Sequence, residues 1–291
     1  MRLRTADDIV LSADYYADVS GGTSGLAYLL GHGFTGSSRT PEMMRIAERL
    51  RELGGSVLAL NFRGHGASQG LSTIGVDEIA DVEAGVGWLR ARCPGVPVVT
   101  VGFSMGASIV IRYAGLGADP EAVVAVSGPG RWYERGTDPM RRLHFGVETR
   151  LGRLVLHRAF RTRVGGGWDL LPASPVEVAA SISAPLLVVH GDADPYFGVE
   201  HARMLAAAAP HSELWIEAGL GHAENAMTAE LVERIHGWAR RTVGSSATAE
   251  SGSTESASVD SESAESGSAE SGSAESRSAE SRSAESATMN R

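Results

Sequence analysis

The residues Gly102-Phe103-Ser104-Met105-Gly106 place a serine between two glycines, directly after the β-branched run Val98-Val99-Thr100-Val101. A serine hydroxyl is a weak nucleophile until a neighbouring base takes its proton, so Ser104 points to acyl transfer only in company. Its context gives the pattern meaning. Between a strand and a helix, glycine-x-serine-x-glycine makes a cramped turn that lifts the serine oxygen above the sheet edge. The helix that begins there aims unpaired N–H groups at any anion formed beside it.

A base and an acid that orients it should sit at the ends of other strands. Among the nine histidines, His222 lies in Gly219-Leu220-Gly221-His222-Ala223, after the last strand and before the last helix. That places it on the sheet edge of Ser104. Asp192 and Asp194, in His190-Gly191-Asp192-Ala193-Asp194-Pro195, both follow the apolar strand Leu186 to Val189. Either could be the acid, the other being a turn-forming aspartate. Charge developing on a substrate carbonyl would need two N–H donors. Met105, directly after the nucleophile, is one. Phe34, in the glycine-rich loop Gly31-His32-Gly33-Phe34, is the other.

Composition removes rival chemistries. All 26 basic residues are arginine. Without lysine there is no Schiff base, no Ser-Lys dyad and no Walker A phosphate loop. The single cysteine, Cys93, forbids an internal disulfide and fits a reducing, cytoplasmic setting. No secretory leader is visible, and no window reaches the roughly 18 to 20 apolar residues of a membrane span. The formal charge of −9 sits mostly in residues 245–291, which hold nine acids and three arginines. The mildly acidic body gives no reason to expect nucleic-acid binding.

The elements that must position these residues alternate along the chain. Asp8 to Val19 reads as an early antiparallel strand or hairpin. Leu26 to Leu30, Ser56 to Asn61, Pro97 to Val101, Ala122 to Ser127, Pro185 to His190 and Leu214 to Glu217 read as strands. Helices are expected over Pro41 to Leu53, with Thr40 as cap, and over Asp77 to Arg92, Ser104 to Ala114, Gly198 to Ala209 and Glu224 to Thr242. Continuous apolar strands alternating with helices imply a mostly parallel sheet covered on both faces. Ligands then bind outside the carboxyl ends of the strands, which is where the candidate residues lie.

Two segments stand apart. The insertion from about 130 to 178 mixes Trp132, Tyr133, Leu143, Phe145, Leu151, Leu154, Leu156, Phe160 and Trp168 with nine arginines. Apolar residues at helical spacing are first of all packing, so the insertion either covers the core or forms a helical lid over an apolar acyl pocket. Residues 244–291 include five copies of Ser-Ala-Glu-Ser-x from Ser263 to Ala287. Such a tail lacks apolar surface to bury and should be disordered, leaving 1–243 as the globular domain.

Taken together, these blocks resemble the α/β-hydrolase superfamily over roughly Val10 to Thr242. The resemblance rests on Gly31-His32-Gly33-Phe34, on Asn61-Phe62-Arg63-Gly64-His65-Gly66-Ala67-Ser68, on the turn at Ser104, on His190-Gly191-Asp192-Ala193-Asp194 and on Gly221-His222. It implies a sheet of about eight strands and the chain order serine, aspartate, histidine. It selects Asp194 over Asp192, and makes Arg63-Gly64-His65-Gly66 a structural loop near the site.

The implied activity is that of a serine hydrolase of the esterase and lipase branch. Such an enzyme cleaves a small-molecule ester or thioester through an acyl-enzyme on Ser104, with no cofactor or metal. An acyltransferase, a perhydrolase or a non-catalytic ligand-binding member would share the layout. A serine at the turn argues against haloalkane dehalogenase and epoxide hydrolase chemistry, which need a carboxylate there. Oligomeric state is left open.

Overall fold

The β-branched runs pair in parallel because a helix returns the chain across a sheet face before each new strand begins. A computed structural model of the chain describes residues 1–19, 25–165 and 172–259, with the backbone alone for 245–259. The strands are β1 (Arg2–Arg4), β2 (Val10–Tyr16), β3 (Ala27–Gly31), β4 (Ser56–Leu60), β5 (Val98–Phe103), β6 (Ala122–Val126), β7 (Leu186–Gly191) and β8 (Ser212–Glu217). They form one eight-stranded sheet in the order β1-β2-β4-β3-β5-β6-β7-β8. β2 runs antiparallel to both its neighbours, β1 and β4, and β3 through β8 are parallel.

The helices are α1 (Pro41–Glu52), α2 (Glu78–Arg92), α3 (Met105–Gly115), α4 (Asp138–Glu148), α5 (Arg150–Phe160), α6 (Pro175–Ala179), α7 (Val199–Ala208), α8 (Ala223–Ala226) and α9 (Ala229–Val259). Successive strand residues point to opposite faces, and the core divides accordingly. Leu29, Leu58, Ala125 and Val188 pack with residues of α2, α3, α6 and α7. Tyr28, Leu30, Val57, Val99, Val101, Val124 and Val189 pack with α1 and α9. Both faces are therefore dry, which is why these strands read as unbroken apolar runs.

Several local details depart from the sequence reading. Thr40 holds the N-cap position of α1, but its hydroxyl donates to the Ser37 carbonyl at 3.2 Å and does not cap the helix. The single helix expected from Glu224 breaks after Ala226, and α9 starts afresh with the Thr228 hydroxyl accepting the Leu231 N–H at 3.1 Å. That helix continues to Val259, past Thr242 where the apolar periodicity ends.

The chain divides into two units, Met1–Ala247 and Thr248–Arg291. Of the second, the backbone of 248–259 is described and is helical. The rest of the tail expected to be disordered lies outside the described residues. Among those residues, no helix is long and apolar enough to cross a membrane.

The segment between β6 and β7 carries α4, α5 and α6. Trp132 and Leu156 are buried, as packing residues should be, but Phe145, Leu151, Leu154 and Phe160 are each at least half exposed. The cause is a glycine contact. A Cβ on Gly152 would lie 2.3 Å from the Phe145 carbonyl oxygen and 2.6 Å from the Gly146 Cα, so α4 and α5 meet backbone to backbone. Phe145, Leu151, Leu154 and Phe160 are turned outward, while Leu143 and Leu156 face inward. Trp168 lies outside the described residues.

Candidate active site

Ser104 sits between β5 and α3 at φ 51° and ψ −112°, a backbone region that side chains other than glycine rarely adopt. Its neighbours enforce that turn. A Cβ on Gly102 would fall 2.2 Å from the Gly106 carbonyl oxygen, and one on Gly106 would fall 2.3 Å from the Gly31 carbonyl oxygen. The two glycines thus let the turn fold onto itself and onto the end of β3. The Ser104 N–H donates to Val126 at 2.9 Å, which ties the turn to β6.

His222 arrives from the far side of the sheet. Its loop crosses the end of β7 so closely that a Cβ on Gly191 would lie 2.1 Å from the Leu220 carbonyl oxygen. The buried Ser127 hydroxyl, just after β6, accepts the Ala223 N–H at 3.0 Å and fixes the loop. The imidazole then lies with Nε2 2.9 Å from Ser104 Oγ and Nδ1 2.7 Å from Asp194 Oδ2. The Tyr196 ring stacks on it, with centroids 4.2 Å apart.

Asp194 is fully buried on its side chain. Its other oxygen, Oδ1, accepts the N–H groups of Tyr196 at 2.8 Å and Phe197 at 3.2 Å. Burial works against its charge, but the His222 contact and these two N–H groups outweigh it and hold the carboxyl below its ordinary range. Asp192 does something else: Oδ1 accepts the Gly219 N–H at 2.6 Å and shapes the turn leading to His222. The two aspartates left open by spacing are therefore separated by geometry.

Phe34 and Met105 both line the space around Ser104. Neither backbone N–H donates to another group among the described residues. The loop carrying Phe34 is backed by buried histidines. Burial pushes His32 down to about 3 and His65 down to about 4, so both stay neutral near neutral pH. His32 Nε2 accepts the Phe62 N–H at 3.2 Å. His65 packs edge-on against His32 and Phe34, one layer behind the reacting atoms. The Arg63 loop is structural as expected, its guanidinium bound to the buried Asp81 and to Asp7.

Sequence reasoning missed Ser127 and Glu224. Glu224 lies two residues after His222, is 7% exposed, and accepts the Gly33 N–H at 3.0 Å. Burial raises its carboxyl above the ordinary glutamate value. Glutamates are rarely buried unless partnered. The only hint in the chain was an acid just inside the short segment after His222.

Two spaces meet at Ser104. One is a small, largely apolar recess of about 40 Å³, lined by Phe34, Met105, Trp132, Met140, Leu143 and Phe197 among others. The other is an open cleft of about 340 Å³, where Thr35, Arg142, Tyr196, His222, Glu224 and Asn225 present polar groups. The imidazole borders the polar cleft, and the Met105 side borders the apolar cavity.

The chain's likeness to known proteins agrees with this geometry. The family described as serine aminopeptidase, S33 matches residues 26–168. The monoacylglycerol lipase of Mycolicibacterium smegmatis is 26% identical over 225 residues, 67% of this chain and 80% of that protein. An uncharacterized protein of Mycobacterium tuberculosis is 30% identical over 224 residues, 76% of this chain and 70% of that protein. Among solved structures, the esterase Pf2001 of Pyrococcus furiosus superposes with a TM-score of 0.65 at 25% identity, over 83% of this chain and 91% of the other. Fold, sheet order and sequence likeness together show that this chain belongs to the α/β-hydrolase superfamily, among its serine hydrolases.

Proposed function

We propose that the chain is a carboxylic ester hydrolase in which Ser104 is the nucleophile, His222 the base and Asp194 the group that orients the base. The observation that carries this reading is the continuous contact from Asp194 Oδ2 through the imidazole to Ser104 Oγ, at 2.7 and 2.9 Å. Ser104 Oγ attacks the ester carbonyl carbon, and its proton passes to His222 Nε2. The resulting oxyanion is held by the N–H groups of Phe34 and Met105. The intermediate collapses, the carbon–oxygen bond to the leaving group breaks, and the imidazolium returns the proton to the departing alkoxide. Water, losing a proton to the same nitrogen, releases the acid from Ser104.

The two spaces fit the two halves of an ester. The apolar cavity suits the acyl chain. The polar cleft suits the alcohol, because the leaving oxygen must face the imidazole that protonates it. Lipase and esterase relatives act on such ester substrates by name.

Steady-state hydrolysis of p-nitrophenyl esters of increasing chain length, alongside the matching thioesters, tests the reading. Ester turnover that depends on Ser104 is the expected result. Turnover of neither series by folded protein would contradict it. Released acid rather than a transferred acyl group separates hydrolysis from acyl transfer at the same serine.

A further inference from the structure

The outer face of α5 is unusual in an acidic protein. From Arg150 to Arg163 there are five arginines and no acid, whereas the whole chain holds 35 acids against 26 basic residues. None of the five is ion-paired among the described residues, but Arg153 donates to the Val147 and Gly165 carbonyls and Arg163 to the Ser68 carbonyl, which leaves Arg150, Arg158 and Arg161 exposed. Between them stand Leu151, Leu154, Val155 and Phe160, exposed by 62%, 50%, 49% and 51%, and α4 adds Phe145 at 54%. Leu151, Leu154 and Val155 fall at i, i+3 and i+4, one stripe of the helix. Large apolar side chains grouped in this way are costly to leave in water and mark a contact surface.

Charge decides what the surface contacts. A second copy meeting it face to face would oppose three exposed arginines to three exposed arginines. A rod of phosphates would satisfy the arginines and leave the leucines wet. An anionic lipid surface satisfies both, because headgroups meet the guanidinium groups while leucine and phenylalanine enter the acyl boundary. We propose that the outer face of α5, with Phe145 of α4, docks on an anionic lipid surface. The same helix pair supplies Arg142, Leu143 and Leu156 to the open cleft. Docking therefore sets the cleft mouth at the lipid boundary. This inference does not depend on the role of Ser104.

Flotation of the full chain with vesicles of phosphatidylcholine, or of phosphatidylcholine with roughly a third phosphatidylglycerol, tests it. Binding should favour the anionic vesicles and weaken with salt. The double substitution Leu151→Asp with Leu154→Asp should lower partitioning by about 100-fold, about tenfold for each leucine withdrawn. Hydrolysis of a short soluble ester should stay unchanged, which also reports folding. Arg150→Gln with Arg158→Gln should abolish the preference for anionic over neutral vesicles. Equal binding to both vesicle types, or leucine variants that float like the parent, would overturn the proposal. So would a two-chain mass in solution that the leucine substitutions reduce to one, since the face would then join copies of the chain.

Glu224 carries a second inference. Its Oε1 accepts the Gly33 N–H, and a Cβ on Gly33 or Gly36 would come within 3.1 Å of the same oxygen. The carboxylate is thus wedged against the turn that carries Phe34. We infer that Glu224 is a positioning residue that sets the direction of the Phe34 N–H, an inference that rests on Phe34 being an oxyanion donor. Glu224→Gln keeps an accepting oxygen and should stay within about threefold of the parent. Glu224→Ala should lower kcat by roughly 10- to 100-fold with little change in KM, a loss confined to the transition state. Labelling of Ser104 by a fluorophosphonate should persist in both variants, which separates this inference from the identity of the nucleophile. A glutamine variant as impaired as the alanine variant, or an alanine variant with parental kcat, would overturn it.

Discussion

Ser104 Oγ lies 2.9 Å from His222 Nε2 although 118 residues separate them in the chain. Three backbone approaches closer than side chains would tolerate produce that meeting: Gly102 against Gly106, Gly106 against Gly31, and Gly191 against Leu220. The glycines of these motifs are space, not flexibility. They let strand ends and loops come together until a hydroxyl and an imidazole touch.

Gly106→Ala should therefore damage both fold and activity. Its new Cβ would lie 2.3 Å from the backbone of Gly31, which cannot swing aside as a side chain can. Overpacking of this kind costs about 1–3 kcal/mol or more. A lower denaturation midpoint with reduced esterase activity is expected. Unchanged values in a urea titration would show that the turn has slack.

Asp194→Asn should reduce kcat by roughly 1,000- to 10,000-fold, because an amide can hold the wrong tautomer of His222. The pH dependence follows from the lowered carboxyl. An acid whose folded value is depressed stays ionised as pH falls through its ordinary range. Asp194 should therefore add no step to log kcat/KM between about pH 5 and 8. Two coupled steps that vanish together in the asparagine variant would contradict this.

Met140→Ala should lengthen the preferred acyl chain. Met140 is buried and lines the apolar cavity beside Trp132 and Phe197. Removing its side chain enlarges the cavity, at about 2–5 kcal/mol in stability. A chain-length series of p-nitrophenyl esters should shift its optimum toward longer acids. An unmoved optimum would mean that the acyl chain lies elsewhere.

Removal of residues 248–291 should leave turnover nearly unchanged, since every residue proposed for the site lies within Met1–Ala247. Comparing kcat/KM on a soluble ester for the truncated and full chains measures this. A loss beyond about threefold would assign the tail a part in catalysis.

Much of this was legible in the sequence, for a physical reason. Val98 to Val101 reads as a buried strand because both sheet faces are dry, and ligands in parallel sheets gather at strand ends. Ser104, His222 and the aspartate pair could therefore be placed on one edge from order alone. Spacing could not separate Asp194 from Asp192, because both follow β7 and only the direction of each side chain tells them apart.

Glu224 was invisible because its burial comes from a turn 191 residues away. The outward leucines of α5 were misread as packing. Periodicity shows that a helix has an apolar stripe, but the close contact through Gly146 and Gly152 decides which side of the helix faces inward.

The central claim is that Ser104 is the nucleophile. Incubating the parent and Ser104→Ala with a fluorophosphonate, then locating the adduct by peptide mass spectrometry, tests it most directly. The adduct should form on the peptide containing Ser104 and be absent from the folded alanine variant. An adduct on another serine, or equal labelling of the variant, would contradict the account.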